Sequence, residues 1–280
     1  MAVTQTEVLS YEVRDKKAYL AMRRPQAMNA LNRELMKALS DAFSEADQDD
    51  DVFVVILTGE GGRAFSAGGD LKEAAIRVEG GQDIADDGSS RSKAMRAHPK
   101  VAKGGAMPGF DEINDCSKPV IAAIDGYCMA GGLEIALYCD FRLATRKSTF
   151  AMPEPRRNLL SGPAFVHLSR MIPLGDALMM ELTAEPISSE RAYQIGLIQG
   201  VYEDRDALDA AVEAAAGAIL RNSPLAVQFL KRIVKEGREM TVEQHWRFSE
   251  MFSFQLGRTE DSLEGLKAFT EKREPNWKMR

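Results

Sequence analysis

The chain has 280 residues, 45% hydrophobic and 28% charged, which argues against a disordered, collagen-like or coiled-coil protein. A net charge of −6 argues against broad nucleic-acid binding, because a phosphate backbone needs a basic surface. No apolar run approaches the roughly 20 residues that span a bilayer, and no secretory signal is evident at the N-terminus. The three cysteines have no CxxC spacing, so we expect a reduced, cytoplasmic protein without a disulfide framework or zinc site.

Strands and helices alternate through the first part of the chain. Runs rich in β-forming residues at 8–14 and 17–22 predict a hairpin, and apolar residues at helical spacing from Leu31 to Ala46 predict a helix. Further strands are predicted at 52–57, 120–124, 141–144 and 149–151. The stretch 79–116 has weak periodicity apart from a predicted helix at 91–97. A long irregular segment of this kind is usually either functional or mobile.

The second part of the chain is mainly helical. Helices are predicted at 165–171, 175–182, 190–195, 206–221, 225–236, 242–256 and 259–272, with one last strand at 198–202. The alternation followed by helices indicates an α/β core with a helical C-terminal part.

Two segments place a glycine-rich turn between a strand and a helix, at 52–71 and 120–140. Glycine lets the backbone approach a ligand closely, and a helix start offers unpaired N–H groups. One such turn can be merely a tight connection, whereas two can direct two N–H donors at one oxygen, as in an oxyanion hole.

Two glutamates accompany these turns. Glu134 lies in an otherwise apolar helix start, and Glu154 lies between Pro153 and Pro155 after a strand. A helix cap and a loop charge are the simpler interpretations of these acids. The alternative is an acid/base pair acting on one substrate.

The chain resembles the enoyl-CoA hydratase/isomerase (crotonase) superfamily from about residue 8 to residue 278. The motifs that carry the resemblance occur in the family's order: RRPQAMNALN (23–32), AFSAGGDL (64–71), the glycine turn with Glu134, YCDFRLAT (138–145), PE (153–154) and AYQIGLI (192–198). The resemblance implies an α/β fold built as a spiral of ββα repeats with a C-terminal helical region. It divides the chain into a catalytic, acyl-CoA-binding core at 1–204 and a helical trimerisation region at 205–280.

The resemblance also assigns roles to residues. The backbone N–H groups of Gly69 and Gly131 would hold the thioester oxygen, and Glu134 and Glu154 would orient water and manage the proton at C2. The further residues implied in contacts with CoA are Ala67, whose carbonyl would face the adenine amino group, Asp70, Ala27 and Lys272, which would reach a phosphate. Asp70 is also interpreted as a helix cap or loop brace. The substrate is an acyl-CoA thioester, no separate cofactor or metal is needed, and the partners are copies of the chain in a trimer or dimer of trimers, with no nucleic acid or membrane.

Retention of both glutamates favours hydration of trans-2-enoyl-CoA. Double-bond isomerisation, another crotonase-type lyase or hydrolase reaction, and a catalytically silent CoA-binding scaffold are the alternatives. Two departures from the family pattern bear on the site. SGPAFVHLSRM (161–171) replaces a glycine-rich stretch, which puts His167 near the expected pocket, and Gln26 stands where hydratases often have a lysine.

Overall fold

The computed structural model describes residues 3–79 and 109–280, which form two β-sheets surrounded by helices. The strands in these ranges are β1 Val3–Gln5, β2 Leu9–Arg14, β3 Lys17–Met22, β4 Val54–Gly59, β5 Ala64–Ser66, β6 Val120–Ile124, β7 Tyr127–Met129, β8 Phe141–Thr145, β9 Thr149–Ala151, β10 Ile187–Ser188 and β11 Gly200–Tyr202. The α-helices are α1 Arg33–Gln48, α2 Leu71–Glu79, α3 Phe110–Asp115, α4 Gly131–Tyr138, α5 Ala164–Met171, α6 Leu174–Thr183, α7 Ser189–Gln194, α8 Arg205–Leu220, α9 Pro224–Gly237, α10 Val242–Leu256 and α11 Glu260–Glu271.

The larger sheet has seven strands in the order β1-β2-β3-β4-β6-β8-β11, and the smaller has four in the order β10-β9-β7-β5. The pairs from β3 to β11 in the larger sheet are parallel, as are β5 with β7 and β7 with β9 in the smaller. Successive pairs β4/β5, β6/β7 and β8/β9 therefore each give one strand to each sheet. This is a spiral of ββα turns, and it confirms the predicted fold class.

Local sequence explains how the elements begin and turn. The hairpin between β2 and β3 turns at Asp15 and Lys16, which both have positive φ and so match the twist of the strands. Helix α1 begins at Arg33, two residues after the start of the predicted apolar pattern. The helix begins there because Asn32 is its N-cap: the Asn32 side chain accepts a hydrogen bond of 2.9 Å from the Leu35 N–H.

The core lies on both faces of the larger sheet. Strand β6 is buried throughout, which explains its uninterrupted apolar run VIAAI. One face of the sheet packs against α1 and α4, and the other packs against α8 through Leu208, Val212 and Ala216. Both faces of the larger sheet are therefore covered by helices, and one of these helices, α4, begins at the second glycine turn.

The predicted elements agree closely with the structure, with a few exceptions. The strand expected at 52–57 forms at Val54–Gly59, while four very short strands, β1, β5, β7 and β10, were not predicted. Helix α3 lies inside the stretch that we interpret as irregular, and the helix predicted at 91–97 lies outside the described residues. Helix α8 begins at Arg205, but the division into two domains at 204/205 remains a prediction. Among the helices that the structure describes, none is long and apolar enough to span a membrane.

Candidate active site

The turn between β5 and α2 is held by backbone contacts with the chain before α1. Leu31 and Gly69 form a parallel bridge, in which the Leu31 N–H donates to Gly68 O at 2.8 Å and the Asp70 N–H donates to Leu31 O at 3.0 Å. The hydroxyl of buried Ser66 donates to Asn29 O at 2.8 Å. These bonds leave the Gly69 N–H unused, and a Cβ at Gly69 would meet no atom within 4 Å. Gly69 therefore faces open space.

The second glycine turn packs directly on the first. A Cβ on Gly132 would collide with the backbone of Ser66, so only glycine lets α4 approach β5 this closely. A Cβ on Gly68 would lie 3.0 Å from the Gly131 nitrogen, and a Cβ on Gly131 would lie 3.6 Å from the Gly69 nitrogen. The two turns thus bring the Gly69 and Gly131 N–H groups close together. Within 3–79 and 109–280, neither of these N–H groups donates a hydrogen bond.

Glu134 lies on the first turn of α4, and its side chain is directed into the protein. The residue is only 6% exposed, and its Oε1 atom is buried without a hydrogen-bond partner. Burial, and then the neighbouring charge of Glu154, raise the pKa of Glu134 to about 7, although the backbone N–H groups of Ala164 and Gly162 act in the opposite direction. The carboxyl group can therefore both take up and release a proton near neutral pH.

Glu154 begins a short 3-10 helix, Glu154–Arg157, directly after β9. It is half-buried, and its Oε2 atom is buried without a partner. Burial is the main cause that raises the pKa of Glu154, and the charge of Glu181 adds to it. The structure therefore brings the two predicted acids within electrostatic reach, because the charge of Glu154 raises the pKa of Glu134 and the charge of Glu181 raises the pKa of both.

A third carboxyl group, Glu181 on α6, was missed from the sequence. Its Oε2 atom accepts a hydrogen bond of 2.5 Å from the Ser161 hydroxyl, while Oε1 is buried without a partner. Burial raises the pKa of Glu181, and its charge acts on both Glu134 and Glu154. The sequence did contain one sign of this residue, because Glu181 is an acid inside the apolar stretch ALMMELT at 177–183.

Three of the predicted CoA contacts lie around the first turn. Ala27 ends a short 3-10 helix, and the Ala67 N–H donates to Met28 O at 3.0 Å, so the two segments are adjacent. The Asp70 carboxylate pairs with Arg24 at 2.9 Å and accepts from the backbone N–H groups of the first turn of α2. Burial alone would raise the pKa of Asp70, but the Arg24 guanidinium and these N–H groups lower it. The bracing and capping role of Asp70 is thus visible in its contacts.

Lys272 stands apart from this group. It ends α11 in a left-handed conformation with φ of 54°, and its N–H caps the helix. None of its contacts in the described residues joins it to the glycine turns. Its contact with CoA stays a prediction.

His167 lies in the stretch 161–171, where the sequence departs from the family pattern, and it packs against Tyr138 on α4. Their rings pack edge to face with centroids 4.8 Å apart, and Phe110 contacts the Tyr138 ring at 5.8 Å. Burial, and then the charge of Lys235, lower the pKa of His167, which favours the neutral ring. His167 is thus a packing residue beside the helix that carries Glu134.

The burial of Glu134 makes a prediction about stability. Folding raises its pKa from 4.5 to about 7, so the folded state holds the proton to higher pH than the unfolded state. The protein therefore loses stability as pH rises from about 4.5 to 7, by about 3 kcal/mol in the fully ionised limit. We expect the Glu134→Gln variant to lack this loss, which thermal unfolding of both proteins at pH 5 and pH 8 will measure. An equal change in melting temperature for both proteins between these pH values would contradict the prediction.

Gly68 makes a second prediction, about the contact between the two turns. It has φ of +90°, and a Cβ there would collide with the Ala130 Cβ. The Gly68→Ala variant should lower the free energy of unfolding by about 2–4 kcal/mol, from backbone strain and overpacking together. Gly175→Ala is the control, because a Cβ there meets nothing within 4 Å. Urea denaturation measures both, and equal stability of the two variants would disprove the close packing of the turns.

The site of this α/β protein combines two adjacent backbone N–H groups without hydrogen-bond partners, a buried carboxyl group on the helix that begins with one of them, and a half-buried carboxyl group whose charge acts on the first. A family profile for enoyl-CoA hydratase/isomerase matches residues 14–280. The carnitinyl-CoA dehydratase of Salmonella enteritidis PT4 (strain P125109) is 35% identical over 266 residues, which cover 93% of this chain and 94% of that protein. The chain belongs to the enoyl-CoA hydratase/isomerase family, as its motifs predicted.

Solved structures agree with this assignment. The enoyl-CoA hydratase of Mycobacterium tuberculosis H37Rv is 34% identical, with a TM-score of 0.84 over 98% of this chain and 100% of that one. The enoyl-CoA hydratase of Bacillus anthracis is 28% identical, with a TM-score of 0.84 over 98% and 100% of the two chains. The likeness thus extends over both the α/β part and the C-terminal helices.

Proposed function

We propose that this protein is an enoyl-CoA hydratase, which adds water reversibly across the 2,3 double bond of a trans-2-enoyl-CoA. The observation that carries the proposal is the pair Glu134 and Glu154, each with a buried oxygen that has no partner, in a chain that also holds the unused N–H groups of Gly69 and Gly131 close to each other. Family membership and the relatives named as hydratases and a dehydratase support a hydro-lyase that acts on CoA thioesters.

The chemistry follows from this arrangement. The ionised glutamate accepts a proton from water as the water oxygen forms a bond to C3. The electron pair of the double bond moves to the thioester oxygen, where the N–H groups of Gly69 and Gly131 stabilise the developing enolate. The second, protonated glutamate then delivers a proton to C2 as the carbonyl reforms. The reaction needs one carboxyl ionised and the other protonated, and burial favours retention of a proton because it raises the pKa of both groups.

We assign the CoA portion to the first glycine turn. The carbonyl of Ala67 and the adjacent Ala27 segment would meet the adenine, Asp70 holds this loop through Arg24, and Lys272 would reach a phosphate. The reaction as written uses no metal or redox group, so the proposed enzyme needs no cofactor beyond the CoA of its substrate. No set of three or more His, Cys, Asp or Glu side chains suited to a metal ion occurs in the described ranges.

We also propose that the enzyme is a cytoplasmic trimer or dimer of trimers. Large apolar side chains on the C-terminal helices are exposed in the single chain, including Trp246 at 69% and Phe269 at 84%. Exposed apolar surface of this extent is typical of an interface between subunits. Sedimentation equilibrium tests the assembly, and a monomer at micromolar concentration would contradict it.

The function is tested by incubating the pure protein with crotonyl-CoA and following loss of the absorbance of the conjugated thioester. Rapid loss of this absorbance with formation of a 3-hydroxyacyl-CoA would support the hydratase. Rates with longer or ring-bearing enoyl-CoA thioesters would then show which acyl groups the pocket accepts. Conversion of a 3-enoyl-CoA without hydration would favour the isomerase, and release of free CoA would favour a hydrolase. Binding of CoA esters without any turnover would favour the scaffold.

A further inference from the structure

Ser66 ends strand β5 just before the first glycine turn, and it is fully buried. Its hydroxyl makes two hydrogen bonds, because it donates to Asn29 O at 2.8 Å and accepts from the Gly68 N–H at 3.2 Å. A hydroxyl has a single proton to donate, so the bond to Asn29 O leaves its lone pairs to receive the Gly68 N–H. Ser66 therefore holds the peptide between Ala67 and Gly68 in one direction.

The acceptor of the Ser66 hydroxyl is itself held in place. Asn29 is fully buried and has a positive φ of 52°. Its side-chain amide donates to Glu60 O at 2.9 Å and to Ala64 O at 2.8 Å. Its side-chain oxygen accepts from the Arg24 N–H at 2.9 Å. The hydrogen bonds of Ser66 thus connect the first glycine turn to a buried polar network.

The direction of the peptide between Ala67 and Gly68 decides where the Ala67 carbonyl points. In a trans peptide the C=O and N–H groups point in opposite directions, and this peptide is trans. Because the Gly68 N–H points at the buried Ser66 hydroxyl, the Ala67 carbonyl points away from it. No backbone N–H within 3–79 and 109–280 donates to this carbonyl. The Ala67 carbonyl is therefore an acceptor whose direction is set before a ligand binds.

The next peptide is held by a different group. The Leu31 N–H donates to Gly68 O at 2.8 Å, so Leu31 directs the Gly69 N–H to the opposite side of that peptide. Ser66 and Leu31 thus fix two successive peptides of one turn, and only the second carries a proposed oxyanion donor.

We propose that Ser66 is a positioning residue for the adenine end of the substrate, because its hydroxyl directs the Ala67 carbonyl to accept a hydrogen bond from the adenine amino group. The proposal rests on the proposed function, in which the first glycine turn receives the CoA portion. An acceptor that is already oriented loses little freedom when the ligand binds. Without the hydroxyl, the peptide before Gly68 can rotate, since glycine permits many backbone conformations.

Binding of a saturated thioester tests this proposal without requiring turnover. The two probes are butyryl-CoA and its analogue in which hydrogen replaces the adenine amino group. Isothermal titration calorimetry should show that the wild type binds butyryl-CoA about three- to tenfold more tightly than the analogue, the range for one neutral hydrogen bond. The Ser66→Ala variant should bind butyryl-CoA more weakly by the same factor, and the two probes within about twofold of each other. Ser66→Cys fills the same space but hydrogen-bonds weakly, so it provides the same test if the alanine variant fails to fold.

Ser148→Ala is the matched control. Ser148 is also fully buried, and its hydroxyl donates to Ile124 O at 3.1 Å and accepts from the Gly126 N–H at 3.0 Å. The control variant therefore loses the same kinds of hydrogen bond outside the first glycine turn, and it should keep the preference for butyryl-CoA. Equal binding of the two probes by the wild type, an unchanged preference in Ser66→Ala, or an equal loss of preference in Ser148→Ala would each overturn the proposal.

Turnover separates this proposal from the proposed function. With crotonyl-CoA, Ser66→Ala should raise KM more than it lowers kcat, because Leu31 directs the Gly69 N–H. A preference for the amino group that depends on Ser66, without hydration of any thioester, would remove the hydratase and leave the role of Ser66 intact. Hydration of crotonyl-CoA by a wild type that binds both probes equally would remove the role of Ser66 alone.

Discussion

The Glu134→Gln variant should hydrate crotonyl-CoA about 10²–10⁴-fold more slowly than the wild type, the range expected for loss of a positioned acid or base. The amide keeps the shape of the carboxyl group but cannot exchange a proton, so the loss should appear in kcat with little change in KM. Stopped-flow or steady-state loss of thioester absorbance measures both constants.

Several controls make this result specific. Because the buried carboxylate of Glu134 costs stability at neutral pH, the variant should unfold at the same temperature as the wild type or higher. Glu185→Gln removes an exposed acid near the site and should keep kcat within about twofold. A Glu134→Gln enzyme with at least a third of the wild-type kcat would contradict the assignment of Glu134.

The Glu154→Gln variant should also lose about 10²–10⁴-fold in kcat, because the reaction needs one group to take a proton and another to give one. The wild-type rate should fall at both low and high pH, since one carboxyl must be ionised and the other protonated. Burial raises the pKa of both groups, so the acidic limb of this profile should lie above the range of an ordinary glutamate. The pH–rate profile of the Glu154→Gln variant should retain only one of these two limbs.

The double variant completes this test. Groups that act as a unit are not additive, so Glu134→Gln/Glu154→Gln should be nearly as active as the slower single variant. A double variant whose loss equals the product of the two single losses would mean that the glutamates act independently. A bell-shaped profile that persists in Glu154→Gln would assign the second titrating group to another residue.

Much of the fold follows from local pattern in the sequence. VIAAI predicts β6 at its observed bounds, and the long C-terminal helices appear within two residues of their predicted ends. The short strands β7 and β10 could not be predicted, because two or three residues show no periodicity and one strand lies inside a glycine turn. The spiral itself came from the resemblance, since no local pattern tells which of two sheets a strand joins.

The candidate site was predicted unevenly. Glu134, Glu154, Gly69 and Gly131 stand in recognisable motifs, and the structure brings the two glutamates together, as it does the two glycine N–H groups. Glu181 belongs to no motif, and only the packing of α6 against the segment at Ser161 brings it to the site. An acid in an apolar helix is a signal that can be read from sequence, but its neighbours are a property of the tertiary structure.

Labelled water offers the most direct test of the central claim, that two glutamates add water to an enoyl thioester. Crotonyl-CoA is incubated with the enzyme in oxygen-18 water and, separately, in heavy water, and the products are analysed by mass spectrometry. The account predicts one oxygen-18 atom at C3 and one deuterium at C2, with the thioester intact. Oxygen-18 in a free carboxylate, deuterium incorporation without added oxygen, or no product at all would contradict it.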